Sequence, residues 1–243
     1  MKIIQLTDLH LGREGEDTRG IDVRANFVKA LKIIQNYQPD CLVISGDICY
    51  RAPELPIYEW FFEHLKDYPI PSEVIPGNHD DIGMMRQVLD IERDIKGEKL
   101  YFSRIIDGEP ILFLDTAPAT MDIVQLDWLR EQLKNNPKDL LIFMHHPPLL
   151  CGVPYMDNNH SFKTRKEIRE IFFEHPYNLT IFTGHYHVEK TIRTKNLEIN
   201  ITPSTFFQIN QEMVDFAVDH RRPGFRVIEK KGAISGHYVV YFD

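Results

Sequence analysis

Cysteine is scarce in this chain. Cys41, Cys49 and Cys151 are the three present, and no two of them form a Cys-x-x-Cys pair. That count and spacing argue against a disulfide framework and lead us to expect a reducing, cytoplasmic setting. Long hydrophobic runs are missing too. No run approaches the ~18 apolar residues of a membrane span, and MKIIQLTDLH opens on a stretch too short for a signal-peptide core. Basic excess is also lacking: 28 Lys and Arg stand against 36 Asp and Glu, a formal net charge of −8. No overall positive field draws nucleic acid or acidic membranes, so any phosphate must be bound by a local device such as metal ions. Internal repeats and low-complexity segments are absent, and the composition sets aside collagen, coiled coils and disorder.

What is present is apolar material for one large domain, 43% of 243 residues, with no linker dividing residues 1–243. Short, nearly continuous apolar runs read as strands buried on both faces. They are KIIQL (2–6), CLVIS (41–45), SEVI (72–75), ILFLD (111–115), LLIFM (140–144) and LTIF (179–182). Helical patterns lie between them, near 22–37, 54–67, 83–94, 122–135 and 164–174. In the first, Phe27, Leu31 and Ile34 recur at helical spacing, and QPD (38–40) and NNP (135–137) supply stops. Two stretches read instead as hairpins, 100–116 turning at Asp107-Gly108 and 224–242 turning near Gly232. Alternating strands and helices with added hairpins predict an α/β fold with antiparallel strands at its margins.

Polar residues cluster where these strands end. Asp8 and His10 follow the first, Asp47 the second, and Asn78, His79 and Asp80 the third. His145 and His146 follow LLIFM, and His185 and His187 follow LTIF, mostly with Gly or Pro nearby. Loops beyond the carboxyl ends of parallel strands converge on the binding crevice of an open α/β sheet, so these residues are expected to meet. Carboxylates, imidazoles and a side-chain amide suit Mn, Fe or Zn, and the donors suffice for two ions. Two cations ~3.5–4 Å apart need a bridging anion, and Asp47, alone in its motif, is the natural bridge. Each element also has a plain structural reading. Asp after a strand often caps a helix, Asn and Asp favour turns, and His145-His146-Pro-Pro suits a rigid loop. All of these would have to hold together, in order, each at a strand end.

DLH, GD, GNHD, HH and GHYH, in this order, resemble the calcineurin-like metallophosphoesterases, and the likeness runs from Asp8 to His187. It implies a four-layer α/β/β/α sandwich with mixed sheets. It also implies that Asp8, His10 and His187 hold one metal and that Asn78, His145 and His185 hold the second, with Asp47 between them. His185 and His187 then serve different ions, which requires a local bend after the strand. His79 matches the family's non-ligand histidine near the scissile phosphate, with Asp80 placed to orient its second ring nitrogen. His10, Asn78, His79 and His187 are thereby expected to border the substrate, and packing is expected for Tyr186.

Within the superfamily the chain looks most like the bacterial class III cyclic-nucleotide phosphodiesterases, the CpdA/Icc type. GIDVRANFVKAL (20–31), PPLLCGVPYMD (147–157), TPSTFFQIN (202–210) and RPGFRVIE (222–229) carry that likeness. Phe206 stands where relatives often carry Cys, and the stretch after Asp157 matches poorly. The implied reaction opens 3′,5′-cyclic AMP to 5′-AMP with a hydroxide bridging two metal ions and His79 as proton donor. A phosphodiesterase for glycerophosphodiesters or other small diesters is the alternative, and a metal-poor protein-binding scaffold is a more distant one. The residues leave a homodimer open.

Overall fold

The computed structural model describes residues 1–232 and 234–243. Two mixed sheets carry the chain. In the first, strands Lys2–Leu6, Cys41–Ser45 and Ser72–Ile75 run parallel. On the far side of Lys2–Leu6, strands Gly224–Lys231 and Ile234–Tyr241 are added antiparallel. In the second, strands Glu109–Leu114, Leu140–Met144, Leu179–Thr183 and Leu197–Ile201 run parallel. Phe102–Ile106 and Lys190–Thr194 close its two edges antiparallel. Every apolar run expected to be a strand is one, and the antiparallel additions do sit at the sheet margins. The turn at Asp107 (φ 50°) and Gly108 (φ 77°) places two consecutive residues in the left-handed region, as a tight hairpin requires. The other hairpin passes through Gly232 (φ 61°) and residue 233, which lies outside the described residues.

Alternation along the second sheet sets the layers. Phe113, Phe143 and Phe182 face a core shared with the first sheet. Their neighbours Leu112, Ile142 and Ile181 face a separate core beneath helices Ile123–Asn135 and Arg165–Glu174. Helices Val23–Gln35 and Leu55–Leu65 cover the other side, through Phe27, Leu31, Ile34 and Phe61. The result is the expected order helix, sheet, sheet, helix. Between the sheets a row of rings crosses four neighbouring strands. Phe102–Phe113, Phe113–Phe143 and Phe143–Phe182 stack at 4.7, 5.5 and 5.4 Å. No described helix is long and apolar enough to cross a membrane.

Side-chain caps start two of the helices. Asp22 accepts from Ala25 N and Asp122 from Gln125 N, both at 2.9 Å. One expected helix, 83–94, is not formed. The chain makes a single turn over Ile82–Met85, capped by Asp81, and a short 3-10 turn over Glu92–Asp94. Leu89 and Ile91 are both buried, and two residues spaced by two cannot share one face of an α-helix.

Beneath the strand ends, a buried polar network ties the sheets together. Gln5 Nε2 donates to Ser45 Oγ at 2.7 Å and to the Thr183 carbonyl at 3.3 Å, while Thr202 Oγ1 donates to Gln5 Oε1. Arg226 completes it, donating to Thr202 Oγ1 and to the Ile201 carbonyl, both at 2.9 Å. Satisfied networks of this kind fix one packing arrangement, here the register of one sheet on the other.

Phe143 is fully buried at the centre of the ring row. Truncation to Ala is expected to cost about 3–5 kcal/mol by equilibrium denaturation. A loss under ~1 kcal/mol would show that the sheets do not depend on the ring row.

Candidate metal centre

Over the strand ends, the loops of each sheet are stitched backbone to backbone. Asp8 N donates to the Gly46 carbonyl and His10 N to the Asp47 carbonyl, each at 3.0 Å. Gly184 N donates to the His145 carbonyl at the same distance. Such close approach needs small residues. A Cβ at Gly77 would collide with the Asp47 side chain, and one at Gly184 with Thr7 and the Asp8 carboxylate. The glycines of GNHD and GHYH are therefore packing requirements.

The donors themselves hold strained backbone. Asp8 (φ 53°), His10 (φ 47°), Asp47 (φ 53°), His185 (φ 67°) and His187 (φ 50°) all lie in the left-handed region. Non-glycine residues rarely adopt it, and each costs on the order of 1–3 kcal/mol unless the surroundings enforce it. Here the strain does positional work. It breaks the alternation of an extended strand, so His185 joins Asp47 and His145 while His187 joins Asp8 and His10. This is the bend expected within GHYH.

Each of the four buried donor imidazoles is tethered by one ring nitrogen to a backbone carbonyl. His10 Nδ1 faces Tyr50 O at 3.4 Å, His145 Nδ1 faces Ser45 O at 2.9 Å, and His187 Nδ1 faces Phe207 O at 3.0 Å. His185 uses its other nitrogen, Nε2, on His160 O at 2.8 Å. A carbonyl only accepts, so the tethered nitrogen carries the hydrogen and the free one, a lone pair whenever the ring is neutral, faces the cluster. His10 Nε2 and His187 Nε2 lie 3.0 Å apart, so a proton or a cation must stand between them.

Electrostatics point the same way. Burial, joined by the neighbouring His187, brings His10 down to about 3, and burial with His145 brings His185 to about 3. Both rings are neutral, as a metal ligand must be. Burial opposes ionisation of Asp8, yet His187 and His145 outweigh it and hold the carboxyl at about 2. Asp47 is likewise held well below the carboxylate range, burial being outweighed chiefly by His145. Burial also opposes a charge on His145, but Asp47 and Asp8 push it up to about 9. A proton there is the positive charge the two carboxylates demand. His145 Nε2 has no hydrogen-bond partner among the described residues, although it lies 3.4 Å from Asp47 Oδ1. Buried, unpartnered and facing a carboxylate, it fits a cation.

Asp47 stands between the two donor groups. Its Oδ1 faces His145, and its Oδ2 lies 3.7 Å from His10 Nε2 and 3.9 Å from His79 Nε2. Asn78 is exposed and lines the same cavity. The structure thus gathers six of the seven expected donors into overlapping groups suited to a dinuclear metal site, with Asn78 on the wall of the same cavity; His79, expected outside the ligand set, forms a further group with His10 and Asp47.

Asp80 departs from expectation. His79 Nδ1 is taken by the Arg51 carbonyl at 2.9 Å, and the Asp80 carboxylate turns the other way. It accepts from Gly77 N at 2.9 Å, Ile48 N at 3.1 Å and Tyr58 OH at 3.1 Å. The reason is local: Asp80 closes a turn onto Gly77, which points its side chain back at the loop carrying Asp47. Burial and the Asp47 charge raise its pKa to about 6. Asp80 therefore staples the Asp47 loop to the Asn78 loop. Tyr186 is fully buried, as expected, and its hydroxyl also donates to Asp157 Oδ1 at 2.8 Å. Asp157 in turn accepts from the amides of Cys151, Gly152 and Val153, so it folds the loop after the double histidine. Sequence reasoning missed His160, whose contribution is a carbonyl, and a carbonyl leaves no mark in side-chain identity. It also left His146 without a role. That ring is buried against His185, centroids 4.0 Å apart, and holds Thr116.

A cation bound beside His145 must displace its proton below about pH 9, whereas Asp8 and Asp47 stay ionised throughout. Metal affinity is expected to rise with pH, by up to ~10-fold per unit towards pH 9. Calorimetric titration of the metal-free protein with Mn²⁺ at pH 6.5, 7.5 and 8.5 measures it. A flat profile would show that His145 gives up no proton.

Residues 1–189 match the calcineurin-like phosphoesterase family. A probable cyclic nucleotide phosphodiesterase of Fibrobacter succinogenes is 35% identical over 229 residues, covering 94% of this chain and 89% of the relative. The 3′,5′-cyclic adenosine monophosphate phosphodiesterase CpdA of Escherichia coli K12 is 28% identical over 240 residues, covering 94% and 85%. Among solved structures, a dimetal phosphatase from Danio rerio superposes with a TM-score of 0.66 at 12% identity, over 100% of this chain and 99% of that one. That likeness concerns the fold. With two mixed sheets, overlapping His and Asp donor groups and a match over most of its length, the chain belongs to the calcineurin-like phosphoesterase family, whose members are hydrolases.

Proposed function

We propose that this protein is a dinuclear metal-dependent phosphodiesterase that opens 3′,5′-cyclic AMP to 5′-AMP. The observation that carries the reading is the run of overlapping donor groups Asp8–His10–His187, His10–Asp47–His79 and Asp47–His145–His185, joined through Asp47, in which His79 alone is half-exposed. The likeness to two bacterial relatives named as cyclic-nucleotide phosphodiesterases supports the substrate. Asp8, His10 and His187 would hold one ion and Asn78, His145 and His185 the other, with Asp47 between. Two cations at such a site supply Lewis acidity to the phosphoryl oxygens and make a water nucleophilic at neutral pH.

The chain's own residues do the rest. Carbonyl tethers on four imidazoles keep their free nitrogens aimed inward, so no reorganisation is needed when charge develops. Water adds at phosphorus, the bond to the ribose 3′ oxygen breaks, and that oxygen must gain a proton. His79 is placed for this. Its Nδ1 is held by the Arg51 carbonyl and its Nε2 lies on the Asp47 side of the cavity, half-exposed to an incoming substrate. In its protonated form Nε2 donates to the leaving oxygen, a contribution of roughly 10²–10⁴-fold. Asp47 Oδ1 accepts from the His79 amide at 2.9 Å, which locks the acid to the bridge.

Asp47→Ala is expected to abolish hydrolysis and to lose at least one metal per chain. Full retention of both ions, measured by elemental analysis, would remove Asp47 as the bridge. His79→Ala is expected to lower kcat by roughly 10²-fold or more while metal content holds. Metal loss in that variant would make His79 a ligand instead. Rates of the Mn²⁺-loaded protein on cyclic AMP, cyclic GMP, glycerophosphocholine and a phosphomonoester test the substrate. Comparable rates on all four would defeat the cyclic-nucleotide reading.

A further inference from the structure

The donor cluster suits phosphate esters in general, but the wall beside it is more selective. The cavity encloses about 320 Å³, at the small end of ligand pockets. Arg19, Tyr155, Phe207 and Phe216 reach it from three separate segments of the chain. Phe207 is anchored to the cluster, since its carbonyl tethers His187 and its ring centroid lies 5.1 Å from that imidazole. Phe216 meets Phe207 edge-on at 5.9 Å and Tyr155 at 5.5 Å. The Arg19 guanidinium lies over both phenylalanines, 5.7 Å from Phe207 and 5.4 Å from Phe216. Phe216 is 39% exposed, a large apolar ring left open beside a charged site.

An aromatic wall of this kind accepts two sorts of guest. One is a quaternary ammonium, held by cation–π attraction; the other is a flat neutral ring, held by stacking. Arg19 decides between them. Its positive charge already lies over the same faces, Arg51 lines the same cavity, and Asp47 is the one carboxylate among the described lining residues. A cationic headgroup would meet like charge with no counter-charge outside the donor cluster. A planar heterocycle instead stacks on the rings and on the guanidinium plane.

We propose that Arg19, Tyr155, Phe207 and Phe216 form a subsite for the nucleobase of the substrate, and that this wall selects nucleoside diesters over alkyl diesters. The proposal rests on the phosphodiesterase function above and adds the residues that set its specificity. It also assigns a task to the segment after Gln208, where Phe216 lies beyond the residues that match the family.

The test compares kcat/KM of the Mn²⁺-loaded protein on cyclic AMP and on glycerophosphocholine. Phe216→Ala is expected to lower the ratio of the two values by roughly 10-fold, the worth of one stacked base, chiefly through the KM for cyclic AMP. Phe216→Trp is expected to restore it, and Arg19→Glu to shift it further towards the choline ester. A wild-type ratio near one would defeat the cyclic-nucleotide reading, and the selective wall with it. A wild type that prefers cyclic AMP, with the ratio unchanged in Phe216→Ala, would overturn the subsite alone. So would a fall carried only by kcat, which marks a structural role.

Discussion

Two buried carboxylates without a lysine or arginine partner govern this site. Asp8 and Asp47 are almost wholly withdrawn from water, and among the described residues their ion-pair contacts are all with histidine. Burying unpaired charge is expensive, so the surroundings must supply positive charge or a cation. The protein does not answer with a permanent cation. It presents imidazoles whose outer nitrogens are spent on backbone carbonyls and whose inner nitrogens converge on the carboxylates. Carboxylates and inward ring nitrogens gathered this closely suit metal ions, which can replace the proton on His145.

The fold enforces that arrangement from below. Two sheets meet through a row of phenylalanines and through the Gln5–Thr202–Arg226 network, so the ends of five strands are held in register. Above them, five donor residues take left-handed backbone, a strain of several kcal/mol in sum that a looser frame would relax. Glycines at 77 and 184 allow neighbouring loops to touch the carboxylates directly. Rigid strands, close loops and strained donors form one chain of cause leading to a preorganised centre.

Much of this was legible in the residues. Apolar runs of four to five located the strands, because a strand buried on both faces leaves little room for polar residues. The donors were legible because each follows such a run. Helix 83–94 was misread because Met85 and Leu89 carry helical spacing, while Ile91, two residues further on, packs in the same core. Asp80 was misread because adjacency to His79 suggested a hydrogen bond that the turn at Gly77 directs elsewhere. The carbonyls of Tyr50, Arg51, His160 and Phe207 had no signal at all, since every residue has one.

Residue identity alone therefore determined the chemistry: how many carboxylates and imidazoles there are, and that they end successive strands. Side-chain type and strand period are local properties, and local order carries them. Tertiary structure decided which imidazole nitrogen faces inward, which donors share Asp47, and that Phe216, distant in sequence, stands beside Tyr155 and Arg19. Those outcomes depend on the packing of one sheet on the other and on left-handed turns at the strand ends. The packing is settled by contacts between residues far apart in sequence, such as Gln5 with Thr202, and the turns by backbone bonds between the loops of neighbouring strands.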